Sequence, residues 1–363
     1  MKGFAIRDLF ESFARAHTDK RAANRAFTEK VMGLLEAKKL TPADFSLREL
    51  WEGLVVSQGL EEDVVSSAFP TISGQLISSV MIQAYDAYPK NGLSLVRVVP
   101  SRLKVSQVVG WTPLGKLDRT SYVKEKEDYP ELESPDEKTV KIKNKKNGGT
   151  ISLTREAIFF DRTGQLLSLA AGVGQELARW QDEVILSKAA DLDSDAYDGG
   201  AMFSASAGIA NLLTGAASAL GTTSYEAARI KFRKATDEKG KKINVMPDKP
   251  ILMHPADLEP TVMKLLNNEF GPIGAAAQTE YNVARNGFVP FYNPYITSAT
   301  AWYYGDFKNS LRWEEVWPLE TYSRVGQDTE EGFKKDVISQ HRASIYGGCG
   351  YDDFRRVYKN VGA

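Results

Sequence analysis

A single cysteine, Cys349, and three histidines, His17, His254 and His341, are all the Cys and His side chains that 363 residues carry. One cysteine excludes an intrachain disulfide framework and any multi-cysteine metal centre, and suits synthesis in a reducing compartment. The histidines stand in unrelated contexts, with neither HExxH nor paired helical spacing, so no metal ligand set is expected. No run of about 18 apolar residues occurs; the nearest, Phe203 to Leu220, is mostly Ala, Gly and Ser. The opening MKGFAIRDLFESFARAHTDK carries acids early and has no uninterrupted apolar core. It does not read as a secretory signal, and a soluble chain without a membrane partner is expected. An excess of one charge is also missing. Forty-six Lys and Arg against 47 Asp and Glu leave a formal net charge of −1, which argues against a dedicated nucleic-acid-binding domain.

Signatures of catalysis are absent too. There is no GxxxxGK[ST] phosphate loop and no nucleophile elbow, and Gly172-Val173-Gly174 lies inside a helical pattern rather than at a strand-to-helix turn. Cys349, in Gly347-Gly348-Cys349-Gly350, has no identifiable base and reads as a small residue in a tight strand turn. Glu314, Glu315 and Glu320 among Trp313 and Trp317 raise the question of a glycosidase carboxylate pair. Strand alternation, however, puts Trp313, Glu315 and Trp317 on one face and Glu314 and Val316 on the other. Adjacent acids then cannot face each other, and the preferred reading is an aromatic-edged strand with solvated acids. A chain that is not an enzyme, with no cofactor, is expected.

What the sequence does hold is a long polar excursion from Trp111 to Gly149. Connections in compact domains mostly run to about 4–6 residues, and loops beyond about 12–15 are usually functional or disordered. Val140 and Ile142 alternate with polar residues, as do Ile151 and Leu153, and Asn147-Gly148-Gly149 lies between the two runs. That pattern predicts a hairpin, since Asn-Gly supplies the positive φ of a tight turn. Lys124-Glu125-Lys126-Glu127-Asp128 alternates in sign, giving an arm without net field that suits a like arm or a mixed-charge neighbouring face better than phosphate. An ordered arm of this kind needs a surface to lie on, which points to an assembly protein.

Around the arm, short amphipathic helices are expected up to about Gly59, on faces such as Leu9-Phe10-Phe13 and Phe27-Val31-Leu34. A helix opens at Phe69-Pro70-Thr71 and runs through Met81. After a short turn at Arg155-Glu156-Ala157, a helix over Leu166–Lys188 presents Leu166, Leu169, Ala170, Val173, Leu177, Trp180 and Val184 as its apolar stripe. Further helices are expected over Ser224–Ala235 and Pro255–Asn267, and strands at Ile251–Met253, Ala301–Tyr304, Leu311–Trp317 and Asp336–Tyr346. Two lobes of mixed content make the fold class α+β.

Four stretches of the chain resemble the major capsid proteins of tailed bacteriophages, in particular the major head subunits of Mu-like prophages. Ser134–Lys138 through Lys145–Ile158 is similar to their extended loop, and Phe69–Gly74 to the start of their ordered core. Ala201–Ser204 with Asn211–Leu213 and Asp237–Pro247 resembles their axial domain, and Ile345–Gly348 through Phe354–Lys359 their C-terminal strand and tail. Departures are Ser206-Ala207-Gly208, where such proteins often have His, and Phe159-Phe160-Asp161-Arg162, where they often carry acids.

The resemblance implies a fold in six parts. These are a helical N-terminal arm (1–68), the start of a peripheral domain (69–110), an extended loop and hairpin (111–153), the spine helix (154–190), an axial domain (191–304) and C-terminal strands returning to the peripheral domain (305–363). It implies an intersubunit contact through Lys116, Arg119, Tyr122, Lys124, Lys126, Glu127, Tyr129, Glu131 and Glu133, and a spine-helix core of Leu166, Leu169, Val173, Leu177 and Trp180. The implied function is that of a shell subunit in the virion, made in the host cytoplasm, forming pentamers and hexamers of an icosahedral capsid. Scaffolding, portal and decoration proteins are the implied partners, with double-stranded DNA enclosed without sequence-specific binding. Some coats of this kind join a loop Lys to a neighbour's Asn; Lys124 and Lys126 have no matching Asn context here. The alternatives are an encapsulin-type nanocompartment shell and, behind it, a soluble hydrolase whose apparent arm is a lid.

Overall fold

The computed structural model describes residues 62–109, 139–160, 164–190, 201–205, 210–236, 246–269, 282–325 and 329–362, together with isolated positions elsewhere. Two compact units emerge. One is Met1–Lys90, Lys146–Gln181 and Trp317–Tyr346; the other is Asn91–Lys145, Asp182–Val316 and Gly347–Ala363.

In the first unit, helix α1 (Glu62–Ala87) lies on the long helix α3 (Gln165–Ala189), with the short α2 (Arg155–Phe160) between β4 (Lys145–Thr154) and α3. Thr154 Oγ1 accepts a hydrogen bond from Ala157 N at 3.2 Å, opening α2 as a side-chain cap does. The buried stripe of α3 runs Leu167, Ala170, Gly174, Leu177, Ala178 and Gln181. This corrects the expected stripe by about one residue. Leu177 is buried, Leu166, Val173 and Trp180 are half-buried, and Leu169 is 54% exposed. The reason is close backbone approach: a Cβ at Gly174 would sit 2.2 Å from Met81 O of α1. The small-residue face, not the bulkiest one, meets α1, and Tyr85 OH donates to Gln181 Oε1 at 2.5 Å along the same seam.

The hairpin expected around Asn147-Gly148 is not formed. β3 (Thr139–Lys143) pairs instead with β2 (Val105–Val109), antiparallel, with Val105 opposite Lys143 and Val109 opposite Thr139. Asn147, Gly148 and Gly149 lie inside β4, and Gly148 rests against Ala343 and Ser344 of β10 (Val337–Tyr351). Ladder pairing has overridden the local turn preference. A four-stranded sheet takes the order β1-β9-β10-β4, with β1 (Arg97–Pro100) parallel to the start of β9 (Leu311–Val325).

The second unit is built on a five-stranded sheet. It joins β5 (Leu212–Thr214), β6 (Ile251–His254), β7 (Val289–Tyr292), β8 (Ala301–Gly305) and β11 (Val357–Val361) in the order β5-β11-β8-β6-β7. Helices α4 (Thr222–Arg233) and α5 (Glu259–Asn267) supply Tyr225, Phe232, Val262 and Leu265 to a core shared with Trp302, Tyr304 and Tyr358. Tyr304 meets Tyr225 and Phe232 edge-on at 5.4 and 6.0 Å, the geometry that aromatic quadrupoles favour. β11 is held between β5 and β8, which corrects the expectation that residues 305–363 return as a whole to the first lobe. In the same unit side chains donate to the carbonyls at the end of α3, where helical partners run out, and to Leu186 O, which also accepts from Ala190 N. Tyr351 OH donates to Ala189 O and Tyr303 OH to Ala190 O, each at 2.9 Å, and Asn293 Nδ2 donates to Leu186 O at 2.9 Å.

Candidate functional site

The long polar connection, residues 110–138, joins β2 to β3, so this two-stranded ribbon is the base of the arm. Its inner face is apolar. Val140 and Ile142 are buried, and Ile142 packs against Gly350 at the end of β10. Strand alternation turns Lys141 and Lys143 outward, beside the half-exposed Val105.

Asn144, where β3 gives way to β4, is 5% exposed and fixes the ribbon to the body of the unit. Its backbone N–H donates to Lys104 O at 3.0 Å, and its Nδ2 donates to Leu103 O at 2.8 Å and to Glu314 Oε2 at 3.1 Å. From Glu314 a chain of charges continues through β9, β1 and the end of β10. Arg312 Nη2 lies 3.2 Å from Glu314 Oε1, Arg312 Nε 3.1 Å from Asp352 Oδ1, and Arg97 Nη2 2.8 Å from Asp352 Oδ2. The parallel register of Arg97 with Arg312 and of Val99 with Glu314 brings these side chains together. Burial raises the Asp352 pKa; Arg312 and then Arg97 pull it down, while Glu314 and Asp353 push it up.

Glu314 is therefore 2% exposed, against the expectation of solvated acids on this strand. Trp313 on the opposite face is also fully buried, so β9 is covered on both sides here. A charge enclosed in this way persists only when paired and hydrogen-bonded, and Arg312 with Asn144 supplies the pairing. The network was missed in the sequence because its members come from four separated segments. The local signal was Arg312 and Glu314 at i, i+2 in a strand otherwise rich in Trp and Val.

Among the described residues no group of three or more His, Cys, Asp and Glu is placed to hold a metal ion. Cys349 is buried within β10 rather than at a turn, and burial pushes its thiol far above the ordinary range. His341, 1% exposed, stands 3.0 Å from Ser339 Oγ, and burial lowers its pKa to about 4. Among the described residues no helix is long and apolar enough to cross a membrane. Of the expected contact residues, Lys116, Arg119, Tyr122, Lys124, Lys126, Glu127, Tyr129, Glu131 and Glu133 all lie outside the described residues.

Comparison with known proteins bears on the whole arrangement. The family described as "Phage capsid protein" matches residues 137–360, more than half of the chain. No curated protein matches. Among solved structures, the capsid of a native GTA particle, computed with C5 symmetry, is 14% identical, with 76% of this chain and 90% of that chain covered and a TM-score of 0.51. Mycobacterium phage Bobi gives 15% identity, 75% and 90% coverage and a TM-score of 0.47. A virus-like particle from Pyrococcus furiosus gives 9% identity, 78% and 97% coverage and a TM-score of 0.44. With its mixed α+β architecture, the chain belongs to the phage capsid protein family and is a structural capsid shell protein.

Proposed function

We propose that copies of this chain assemble through the arm carried on the β2–β3 ribbon into pentamers and hexamers of an icosahedral shell enclosing double-stranded DNA. The subunit itself performs no chemistry. The observation that carries this reading is the anchor at Asn144. A buried, charge-paired junction holds the base of a connection of nearly thirty residues, far longer than compactness needs. Contacts made by an arm on a different surface of the next copy are heterologous, and such contacts close into rings. Placing one chain in both five- and six-membered rings calls for a rigid body with an adjustable connection. The balanced charge of the whole chain suits enclosure of DNA without a tight grip on it.

Electron microscopy and sedimentation of the purified protein test the proposal. Closed shells, tubes or rings of five and six are the expected result. A uniform monomer or dimer across salt and protein concentration, with or without the proteins encoded beside it, overturns it.

A further inference from the structure

The outer face of the ribbon is strongly basic. Along β3 and into β4 the exposure alternates: Val140, Ile142 and Asn144 are buried, while Lys141, Lys143 and Lys145 are exposed. Arg102 and Lys104, on the non-strand segment leading into β2, are exposed at the same end of the ribbon. Among the described residues none of these five cations has an ion pair, and Leu103 and Val105 beside them are 57% and 44% exposed. Like charges two residues apart on a strand sit only about 7 Å apart. A face of this kind is at odds with itself until an anionic partner covers it.

The chain carries such a partner. Residues 124–137, KEKEDYPELESPDE, hold seven carboxylates against two lysines, a net of −5 that matches the five cations at the root. Apolar Tyr129, Pro130 and Leu132 within that segment match the exposed Leu103 and Val105. We infer that the acidic segment 124–137 of one copy docks on the basic outer face of the β2–β3 ribbon of the next copy, so that each arm's root receives its neighbour's tip. The inference rests on the assembly reading above and gives that contact its chemistry. The docking is head-to-tail, as a ring requires, and its charge pairing fixes register and suppresses wrong partners.

Three full-length proteins test it, each checked for native circular dichroism. The root variant carries Lys141→Glu, Lys143→Glu and Lys145→Glu. The tip variant carries Glu127→Lys, Glu131→Lys and Glu133→Lys. The third carries both sets. Each set alone is expected to raise the protein concentration needed for assembly by on the order of tenfold or more, and the third protein to assemble again. Mixing the separately purified root and tip variants is also expected to restore six-membered rings, in which the two alternate and each offers the complement the other lacks, whereas a five-membered ring keeps one mismatched contact. A Lys→Gln version of the root set, with no added repulsion, is expected to assemble less well and with weaker salt dependence.

Rescue in the third protein with no six-membered rings in the mixture places the contact within one chain and overturns the inference. So does unimpaired assembly of the root variant. So too do intact root-variant shells that have lost only their nucleic acid, which assigns the lysines to phosphate. In the last two cases, failure of a Ser121–Glu137 deletion to assemble leaves the arm reading standing. Assembly of that deletion removes both.

Discussion

Asn144 and Glu314, 170 residues apart in sequence, meet with Nδ2 3.1 Å from Oε2, at the point where the arm's return strand enters the body of its unit. Asn144 also holds Leu103 O and Lys104 O, so one buried amide ties both legs of the ribbon to β9. Replacing Glu314 with Ala leaves Arg312 and Asn144 facing each other without the anion between them. The expected loss is about 3 kcal/mol of stability, read as a lower midpoint in urea. Glu314→Gln keeps an acceptor for Asn144 and is expected to lose less.

Two glycines only two residues apart but in different settings, Gly172 and Gly174, give a paired test of how α3 packs. Gly172 has open space where a Cβ would go, whereas at Gly174 a Cβ would lie 2.2 Å from Met81 O. Gly172→Ala is expected to raise stability by up to about 1 kcal/mol. Gly174→Ala is expected to lower it by about 2 kcal/mol or more, since α1 must move away. Equal effects at the two positions, in thermal or urea unfolding, would contradict the packing described.

Much of this was legible beforehand and some was not, for physical reasons. The long helix, the short turn at Arg155-Glu156-Ala157 and the strands after residue 300 follow from local pattern, and local pattern is what a sequence displays. The phase of α3 was misread because the seam is set by a carbonyl at Met81 that only Gly174 admits, while hydrophobicity points to Leu169. The turn at Asn147-Gly148 was misread because β10, nearly 200 residues on, supplies a ladder that the local signal does not contain. The resemblance in four short stretches led to the right family. The charged anchor at Asn144 was invisible because its members meet only when β1, β9 and β10 are in register.

His341 sets a pH dependence whose sign is fixed by burial. Its folded pKa is lowered to about 4, below the ordinary value of about 6.5. The unfolded chain therefore takes up the proton first as pH falls. Its contribution is fully present above about pH 6.5 and declines by about 3 kcal/mol on reaching pH 4. Asp352, raised by burial, acts in the opposite sense, its contribution being lost as pH rises through its folded pKa. The His341 share is the difference between the native protein and His341→Gln, followed by urea unfolding from pH 7 to pH 4. Parallel curves for the two proteins would remove it.

Cys349 is expected to be inert in the folded protein. Its thiol is buried and held protonated, so a maleimide should label it only after unfolding. Rapid labelling of native subunits would show that the end of β10 opens readily and that the anchor beside it is loose.

The central claim, that the arm makes the shell, is tested most directly by sedimentation and electron microscopy of the full chain beside a Ser121–Glu137 deletion. The deletion spares β2, β3 and every residue of the Asn144 anchor. The expected result is a deleted subunit with native circular dichroism and an unchanged unfolding midpoint that stays small, while the full chain forms closed particles. Normal particles from the deleted subunit would contradict the claim.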